Sequence, residues 1–283
     1  MEFSKYDLSN INYGGSEKKI GIYINGQKYM LKFQKNTAFG KRNNHLSEYI
    51  GSKIFESVGI EVQKVYLGTY RDENVVACKD FVNNYEQFVP FNEIGESTID
   101  VDILNHQYSY DNIMLMLEEN KKLTNIEETI SLFWDMYIID ALIGNFDRHG
   151  NNWGFIKSNN KYRLAPIFDN GSCLYPQMID ENDMLEVINS IEETNKRIYT
   201  YPMSQIKLDD KKSSYFDVIS STKYHECNKA LLRMYEKIDL NKINKIIDEI
   251  EQISQVHKDF YKHMLYYRYH KIIKHSYKKL KEK

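Results

Sequence analysis

Residues 144–154 read GNFDRHGNNWG and place one Asp, one Arg, one His and three Asn directly after the apolar segment IEETISLFWDMYIIDALIG, residues 126–144. Burying so many polar groups without partners would cost on the order of several kcal/mol, so this stretch does not belong to a hydrophobic core. The apolar segment before it has the pattern of a long helix, and a capping pair, Thr124 and Glu127, predicts its start. The sequence therefore predicts a polar loop at the end of a helix.

This loop carries the residue types that phosphoryl transfer requires. Asp147 and Asn152 have the spacing of an Asp-x4-Asn loop, in which the Asp accepts the proton of the attacking hydroxyl and the Asn oxygen reaches a metal ion. Asp169, in PIFDNG, adds a carboxylate at a predicted strand end, and Gly171 lets the backbone turn there. Hard oxygen ligands of this kind suit Mg²⁺. His149 has no second His or Cys at a metal-binding spacing, so we expect it to position the catalytic segment by hydrogen bonding.

The N-terminal part supplies a matching set of residues for a nucleotide. Gly14 and Gly15 lie in NYGGSEKKIGI, a glycine-rich turn entering a strand, where backbone N–H groups can approach phosphate oxygens. Lys32 lies among apolar neighbours in YMLKF, as a lysine does when it reaches into a nucleotide site. Glu48, on the following predicted helix, is its expected ion-pair partner. Each feature alone is common, but their order along the chain predicts a phosphotransferase that uses ATP and Mg²⁺.

Composition narrows the class of protein. The chain has 283 residues, of which 42% are hydrophobic and 28% charged, which is ordinary for one large domain or two lobes. A net charge of −2 gives no reason to expect direct nucleic-acid binding. The three cysteines are far apart, which argues against a disulfide framework. Because no signal peptide and no membrane-spanning apolar run are recognisable, we expect a cytoplasmic protein, or one secreted by a route without an N-terminal signal.

Hydrophobic patterning predicts a small β-rich region at the start of the chain. Residues 20–33, IGIYINGQKYMLKF, alternate around Asn25-Gly26, which predicts a hairpin with a two-residue turn. Residues 62–70 and 74–79 predict a second strand pair. Between the pairs, residues 43–59 have helical spacing and end at a glycine. The predicted order is strand, strand, helix, strand, strand.

Beyond residue 100 the character changes to mainly helical. A short hairpin is predicted directly after the polar loop, and helical patterns dominate from about residue 183 to the basic C-terminal end. We therefore predict an α+β, bilobal arrangement with a cleft between the lobes. The predicted N-lobe spans residues 1–82, and the larger C-lobe spans residues 83–283.

The motifs and their order resemble a known family. GNFDRHGNNWG followed by APIFDNGSCLYP, with YGGSEKKIGI and YMLKF upstream, resembles the HipA-like kinases, especially their short CtkA-like branch. The resemblance covers about residue 12 to at least residue 176, and DRHGNN and FDNG are its most specific parts. It implies a bilobal protein-kinase-like fold and a Ser/Thr protein kinase that uses ATP and Mg²⁺.

The resemblance also implies a role for each matching residue. Asp147 corresponds to the catalytic aspartate, Asn152 and Asp169 to the Mg²⁺ ligands, and Lys32 to the ATP lysine. The implied adenine-facing hinge comprises Ala77, Cys78, Lys79 and Phe81.

HipA-like kinases modify a serine near the glycine turn, and the modification ejects this loop from the site. Ser16 directly follows the two glycines and is the predicted autophosphorylation site, with Ser9 as the second candidate. A phosphoserine adds about −1.5 to −2 charge where the loop should receive triphosphate. The glycine turn begins only at residue 14, so the small N-terminal subdomain of full-length HipA toxins is expected to be missing. An antitoxin-like partner is a further expectation.

The acceptor and two other functions stay open. The resemblance implies a protein substrate, either an aminoacyl-tRNA synthetase, as for HipA-like toxins, or a host protein, as for CtkA-like proteins. Phosphoinositide kinases also carry an Asp-Arg-His-x-x-Asn loop, and the basic C-terminal tail keeps a lipid kinase as an alternative. A nucleotide-binding pseudokinase that serves as an interaction protein is the other alternative, although all the expected catalytic positions are filled.

Overall fold

The computed structural model describes residues 1–10, 13, 18–38, 40–96, 109–119, 123, 125–159, 161–208 and 211–283. The strands are β1 Lys19–Ile24, β2 Gln27–Phe33, β3 Lys35–Thr37, β4 Gly40–Arg42, β5 Val65–Tyr70, β6 Glu73–Lys79, β7 Gln87–Pro90, β8 Gly154–Ser158, β9 Lys161–Leu164, β10 Met203–Leu208 and β11 Lys211–Ser214. The helices are α1 Asn44–Ser57, α2 Phe91–Glu96, α3 Tyr110–Glu119, α4 Ile126–Ile143, α5 Glu181–Asn189, α6 Ile191–Tyr199, α7 Tyr215–Ser221, α8 His225–Lys237, α9 Leu240–Asp248, α10 Gln255–Arg268 and α11 His275–Lys281. A π-helical segment, Tyr269–Lys274, joins α10 to α11. The predicted α+β class is confirmed.

The N-terminal strands form an antiparallel sheet of order β1-β2-β6-β5. Its first hairpin is the predicted one: Asn25 and Gly26 have φ of 49° and 75°, the left-handed values that a two-residue turn requires. The predicted second strand pair is β5 and β6. A short hairpin of β3 and β4, which was not predicted, lies between β2 and α1.

Alternation along the strands gives this sheet two different faces. Leu31 and Ala77 are opposite each other on β2 and β6 and pack in one hydrophobic cluster with Phe3. Lys32 follows Leu31 and therefore points to the opposite face, which Cys78 shares. We call this second side the cleft face. The side chain of Ala77, predicted to belong to the adenine-facing hinge, thus points away from the cleft.

Helix α1 packs against the sheet and also against the helical part of the chain. It contacts β5 and β6 on one side and α4 and α9 on the other. Gly59, with φ of 78°, lies just beyond its end, as predicted. The predicted apolar positions of this helix are all buried: Leu46, Ile50, Ile54 and Phe55.

The predicted apolar helix is α4, which is buried over most of its length. Its N-cap is Asn125, whose side chain accepts a hydrogen bond from the N–H of Glu128 at 3.2 Å. The predicted capping pair, Thr124 and Glu127, was therefore wrong by one residue, and Thr124 itself lies outside the described residues. Asn caps helices as well as Ser does and better than Thr, which explains the shift. Gly144, with φ of 65°, ends the helix where the polar loop begins.

Two small sheets complete the second lobe. The hairpin predicted after the polar loop is β8 and β9, and β7 adds a third strand beside β8. A further hairpin, β10 and β11, interrupts the region that was predicted to be helical. Its second strand reads KKSS, without an apolar alternation that could have indicated a strand. In the part of the chain that the structure describes, helices long and apolar enough to cross a membrane are absent.

Candidate active site

Lys32 and Glu48 form the predicted ion pair. Lys32 Nζ lies 2.7 Å from Glu48 Oε2, because β2 presents the lysine on the cleft face and α1 packs against that face. Both side chains are buried. The other carboxylate oxygen of Glu48 accepts the N–H of Asn170 at 2.9 Å. A buried ion pair is tolerated when its remaining atoms find partners, as they do here.

Asp169 joins the same pair from the second lobe. Its Oδ1 lies 2.9 Å from Lys32 Nζ, and 39% of its side chain stays exposed. Its φ of 56° lies in the left-handed region, which residues other than glycine rarely adopt. Such strained residues concentrate at functional sites. One ammonium group therefore bridges a carboxylate of each lobe.

The charges of these groups depend on one another. Burial disfavours the charged form of Lys32, but Asp169 and Glu48 outweigh it and hold the pKa of Lys32 well above its ordinary value. Lys32 in turn holds the pKa of the Asp169 carboxyl below its ordinary range. Burial raises the pKa of Asp147, His149 opposes this increase, and Asp169 adds to it. The carboxyl with the raised pKa and the one with the lowered pKa thus face the same cleft.

The predicted catalytic loop forms a tight turn around Asp147. The amide nitrogen of the Asn152 side chain donates to the backbone oxygen of Asp147 at 2.8 Å, which leaves Asn152 Oδ1 as the atom of that group able to bind a cation. His149 Nε2 lies 3.7 Å from Asp147 Oδ1, and His149 Nδ1 accepts the N–H of Asn151 at 3.2 Å. His149 thus lies against Asp147 and accepts a hydrogen bond within the loop, and its positioning role stays a prediction.

Arg148, between these residues, holds three segments together. Its Nε donates to Asp140 Oδ2 on α4 at 2.9 Å. Its Nη1 donates to the backbone oxygens of Asn152 at 2.8 Å and Phe168 at 2.5 Å. Its Nη2 donates to Asn170 Oδ1 at 2.5 Å. The buried guanidinium therefore fixes the catalytic loop and the segment of Asp169 on the end of α4.

A second set of hydrogen bonds holds the backbone of Asp147. Asn145 Nδ2 donates to Asp140 Oδ1 at 3.0 Å, and Asn145 Oδ1 accepts the N–H of Asp147 at 3.1 Å. The hydroxyl of Tyr215, on α7, donates to the backbone oxygen of Asn145 at 2.5 Å. Asp147 is thus connected to Asp140 through two polar residues, Asn145 and Arg148.

The structure brings most of the predicted residues together in one cleft of about 380 Å³. Its lining includes Lys32, Glu48, Asp147, His149, Asn152 and Asp169. The predicted phosphate-contacting residues Gly14, Gly15 and Ser16 lie outside the described residues, so their roles stay predictions.

The predicted hinge ends at a cluster of three aromatic rings. The N–H groups of Lys79 and Asp80 donate to the backbone oxygens of Lys64 and Lys28 at 2.8 and 2.9 Å, so neither is open to a ligand. Phe81 packs against Phe88 and Phe168, with ring centroids 5.8 and 5.4 Å away. Phe168 directly precedes Asp169, so these rings connect the predicted hinge to the segment that carries Asp169.

Asp140, Arg148 and Asn170 are the main residues that the sequence analysis missed. A signal for Asp140 was present, because a carboxylate inside a strongly apolar helix is buried only when it is paired. Arg148 and Asn170 stand inside the two recognised motifs, next to Asp147 and Asp169. Their contacts depend on segments distant in the sequence, which local spacing does not report.

The bilobal fold and this cleft define a protein-kinase-like phosphotransferase. The family model of the HipA-like C-terminal domain matches residues 11–259. The chain therefore belongs to the HipA-like family. The predicted resemblance and the predicted kinase class are both confirmed by the relatives described next.

The Ser/Thr-protein kinase CtkA of Helicobacter pylori is 39% identical over 267 residues, which cover 92% of this chain and 82% of that protein. The crystal structure of the H. pylori proinflammatory kinase CtkA matches with a TM-score of 0.93 and 36% identity, over 100% of this chain and 98% of that one. HipA of Shewanella oneidensis MR-1, solved with HipB and operator DNA, matches with a TM-score of 0.64 and 15% identity, over 96% of this chain and 67% of that one. The similarity to HipA shows the fold alone.

The Arg148 contacts lead to the first prediction. Arg148→Met leaves the carboxylate of Asp140 buried without its cation, which should lower the free energy of unfolding by about 3–5 kcal/mol in urea titrations. Arg148→Lys keeps the charge but cannot reproduce a fork that reaches three segments. It should therefore lose less stability than the Met variant and still lower the rate of phosphoryl transfer.

Arg163→Lys is the matched control, because Arg163 pairs with Glu86 at the surface. It should change neither measurement. Normal turnover in Arg148→Lys would contradict a positioning role for the guanidinium.

Proposed function

We propose that this protein transfers the γ-phosphoryl group of ATP, in the presence of Mg²⁺, to a serine or threonine hydroxyl of a protein substrate. The observation that carries the proposal is the bridge of Lys32 between Glu48 and Asp169, in the same cleft as Asp147. An ammonium held in this way is oriented for phosphate oxygens. The 39% identity to a Ser/Thr-protein kinase supports the choice of a protein hydroxyl as acceptor.

The residues of the cleft fit a magnesium ion bound together with nucleotide. The amide nitrogen of Asn152 is used in a hydrogen bond, so its Oδ1 is the atom that can bind the ion. The Asp169 oxygen that does not face Lys32 is a second hard donor. Among the described residues, clusters of three or more His, Cys, Asp or Glu that could hold a metal by themselves are absent. Mg²⁺ does not need one, because it usually takes one or two protein oxygens plus phosphates and water. When bound, it would neutralise charge on the phosphate oxygens.

The chain's own residues would act on the acceptor hydroxyl and the phosphates. Asp147 would orient the hydroxyl and accept its proton while the hydroxyl oxygen forms a bond to the γ-phosphorus. The bond from that phosphorus to the bridging oxygen breaks, and ADP leaves. Lys32 would hold phosphate oxygens by charge, and Glu48 would fix the direction of Lys32. His149 would keep the carboxylate of Asp147 turned toward the cleft.

The remaining expectations about partners are proposals, and they differ in how much evidence supports them. A protein acceptor follows from the kinase class, while its identity, an aminoacyl-tRNA synthetase or a host protein, and an antitoxin-like partner stay predictions. The lipid-kinase alternative depended on the basic C-terminal tail. Two lysines of that tail, Lys279 and Lys283, donate hydrogen bonds to Ser220 and Thr222, so part of its basic character attaches the chain end to α7.

The second prediction tests the role of Asp147. Asp147→Asn keeps the shape of the side chain and removes the base, so turnover should fall roughly 10²- to 10⁴-fold while ATP binding survives. Turnover is measured as ADP release and as phosphosites in bacterial and host-cell lysates. Asp183→Asn, on the exposed first turn of α5, is the matched control and should behave as wild type.

The outcome also separates the enzyme from a pseudokinase. A pseudokinase would bind ATP equally in the wild type and in Asp147→Asn and would turn it over in neither. Full turnover by Asp147→Asn would exclude Asp147 as the base.

The third prediction concerns pH. Asp147 must be ionised to accept a proton, and its pKa is raised above the ordinary value of 3.8. The acid limb of the kcat/KM profile, which reports the free enzyme, should therefore lie above pH 3.8, with activity lost as pH falls through the raised pKa. Because His149 lowers the pKa of Asp147, His149→Ala should move this limb to higher pH.

His225→Ala, at an exposed histidine that begins α8, is the control and should leave the limb in place. An acid limb that does not move in His149→Ala would show that His149 does not act on Asp147.

The fourth prediction concerns autophosphorylation. Ser9 donates its backbone N–H to the oxygen of Gly21 at 2.8 Å, so it is fixed beside β1, and Ser16 stays the favoured acceptor. After incubation with Mg·ATP, peptide mass mapping should find phosphate on Ser16 in the wild type, retained in Ser9→Ala and lost in Ser16→Ala. Ser16→Asp should lose activity, because added negative charge repels triphosphate. An active enzyme without phosphate between residues 1 and 19 would disprove this prediction.

A further inference from the structure

The cleft face of the sheet has an apolar outer half. Gly21, Met30 and Cys78 are neighbours across β1, β2 and β6. Directly paired residues share one face, and Met30 is two residues from Lys32, so all of them face the cleft. Gly21 has no side chain, and the Oγ of Ser9 is the nearest atom to the position that a Cβ on Gly21 would occupy. The apolar part of the roof beyond Lys32 is therefore the surface of Met30 and Cys78, which suits a flat ring.

The ring of Tyr13 lies on the cleft face below Gly21, together with the side chain of Ser9. Its Cε2 atom is 3.2 Å from the position that a Cβ on Gly21 would occupy. Its hydroxyl is buried, and among the described residues it has no hydrogen-bond partner. Burial raises the pKa of Tyr13 to about 12, with smaller contributions from Asp80, Tyr23 and Cys78. Two of these groups, Cys78 and Asp80, lie at the end of β6, in and beside the predicted hinge.

The described residues that line the open volume of the cleft are charged or polar apart from Gly171. Gly21, Met30, Cys78 and Asp80 are not among them. The open half thus fits phosphates and a cation. An adenine ring needs an apolar slot, and the ring of Tyr13 lies on the face of the sheet where Met30 and Cys78 would offer one.

We propose that Tyr13 occupies the adenine subsite of the nucleotide-free protein and that ATP binds only when the ring is displaced. The inference rests on the proposed function, because it assumes an adenine nucleotide in this cleft. A buried hydroxyl without a partner destabilises the occluded state. The ring is therefore a replaceable occupant, and an adenine ring whose phosphates reach the open half of the cleft beside Lys32 can take its place. Only molecules in which the ring is displaced bind ATP, so the apparent affinity for ATP is reduced in proportion to the fraction of such molecules.

The test separates the two halves of the cleft by ligand. Tyr13→Ala should bind adenosine roughly 3- to 30-fold more tightly than the wild type, since no ring must leave. Binding of Mg·tripolyphosphate, which needs only the open half, should stay within about 2-fold. Tyr13→Phe keeps the ring and removes the unpaired hydroxyl, so its adenosine affinity should equal or fall below that of the wild type. Calorimetry measures all three.

A second measurement reports the position of the ring itself. Tetranitromethane nitrates tyrosine through the phenolate, so Tyr13, whose hydroxyl is buried, should resist nitration in the free protein and react once Mg·ADP is bound. Tyr85, which is 91% exposed, is the internal control in the same peptide map. Nitration of Tyr13 in the free protein as fast as Tyr85 would overturn the proposal.

The other outcomes also decide it. Weaker adenosine binding by Tyr13→Ala would mean that the ring stacks on adenine instead of blocking it, and unchanged binding would mean that the ring lies elsewhere. Both results overturn this inference and leave the proposed function intact. If ADP binds to no form of the protein, the proposed function fails with it.

Discussion

The guanidinium of Arg148, buried beside the carboxylate of Asp140, is the constraint on which the rest of the site depends. The two side chains are 5% and 1% exposed, so neither can be hydrated and each must find its partners inside the protein. The carboxylate of Asp140 accepts hydrogen bonds from Arg148 and Asn145. Arg148 also donates to backbone oxygens of the predicted catalytic loop and of the segment before Asp169. The hydrogen bonds that satisfy this buried charge are therefore the same ones that hold the site together. This explains why the site lies at the end of α4, which is buried over most of its length.

A second ion pair extends this constraint to the first lobe. Glu48 receives the N–H of Asn170, and Asn170 is held by Arg148 through its side-chain oxygen. The position of α1 is thus coupled to the same guanidinium that positions Asp147. Because Lys32 pairs with both Glu48 and Asp169, a movement of α1 away from the second lobe would disturb the lysine as well. The two lobes therefore share one network of hydrogen-bonded charges.

Patterns within a few residues of each other predicted a large share of this structure. The Asn25-Gly26 turn, the end of α1 at Gly59 and the spacing of Asp147 and Asn152 each depend on local chemistry, and these features lie where they were expected. The contact of Lys32 with Glu48 was also foreseen, whereas its second contact, with Asp169, was not. Features set by tertiary contacts were missed: the burial of Asp140, the reach of Arg148 and the β10–β11 hairpin. The side chain of Ala77 points the other way because one residue of strand register reverses the face, and motif spacing does not report register.

Both halves of the cleft contain groups of the protein in the places where a ligand would bind. In the inner half, the ammonium of Lys32 neutralises Asp169, as a cation would. In the outer half, the ring of Tyr13 covers an apolar roof that would otherwise face water. Exposed apolar surface and unpaired charge each cost free energy, so an empty cleft would destabilise the fold. The two groups differ in how well their polar atoms are satisfied. Lys32 pairs with two carboxylates, whereas the Tyr13 hydroxyl has no hydrogen-bond partner among the described residues. The inner half has open volume for phosphates as it stands. Displacement of the ring in the outer half is therefore the step that an adenine nucleotide requires and tripolyphosphate does not.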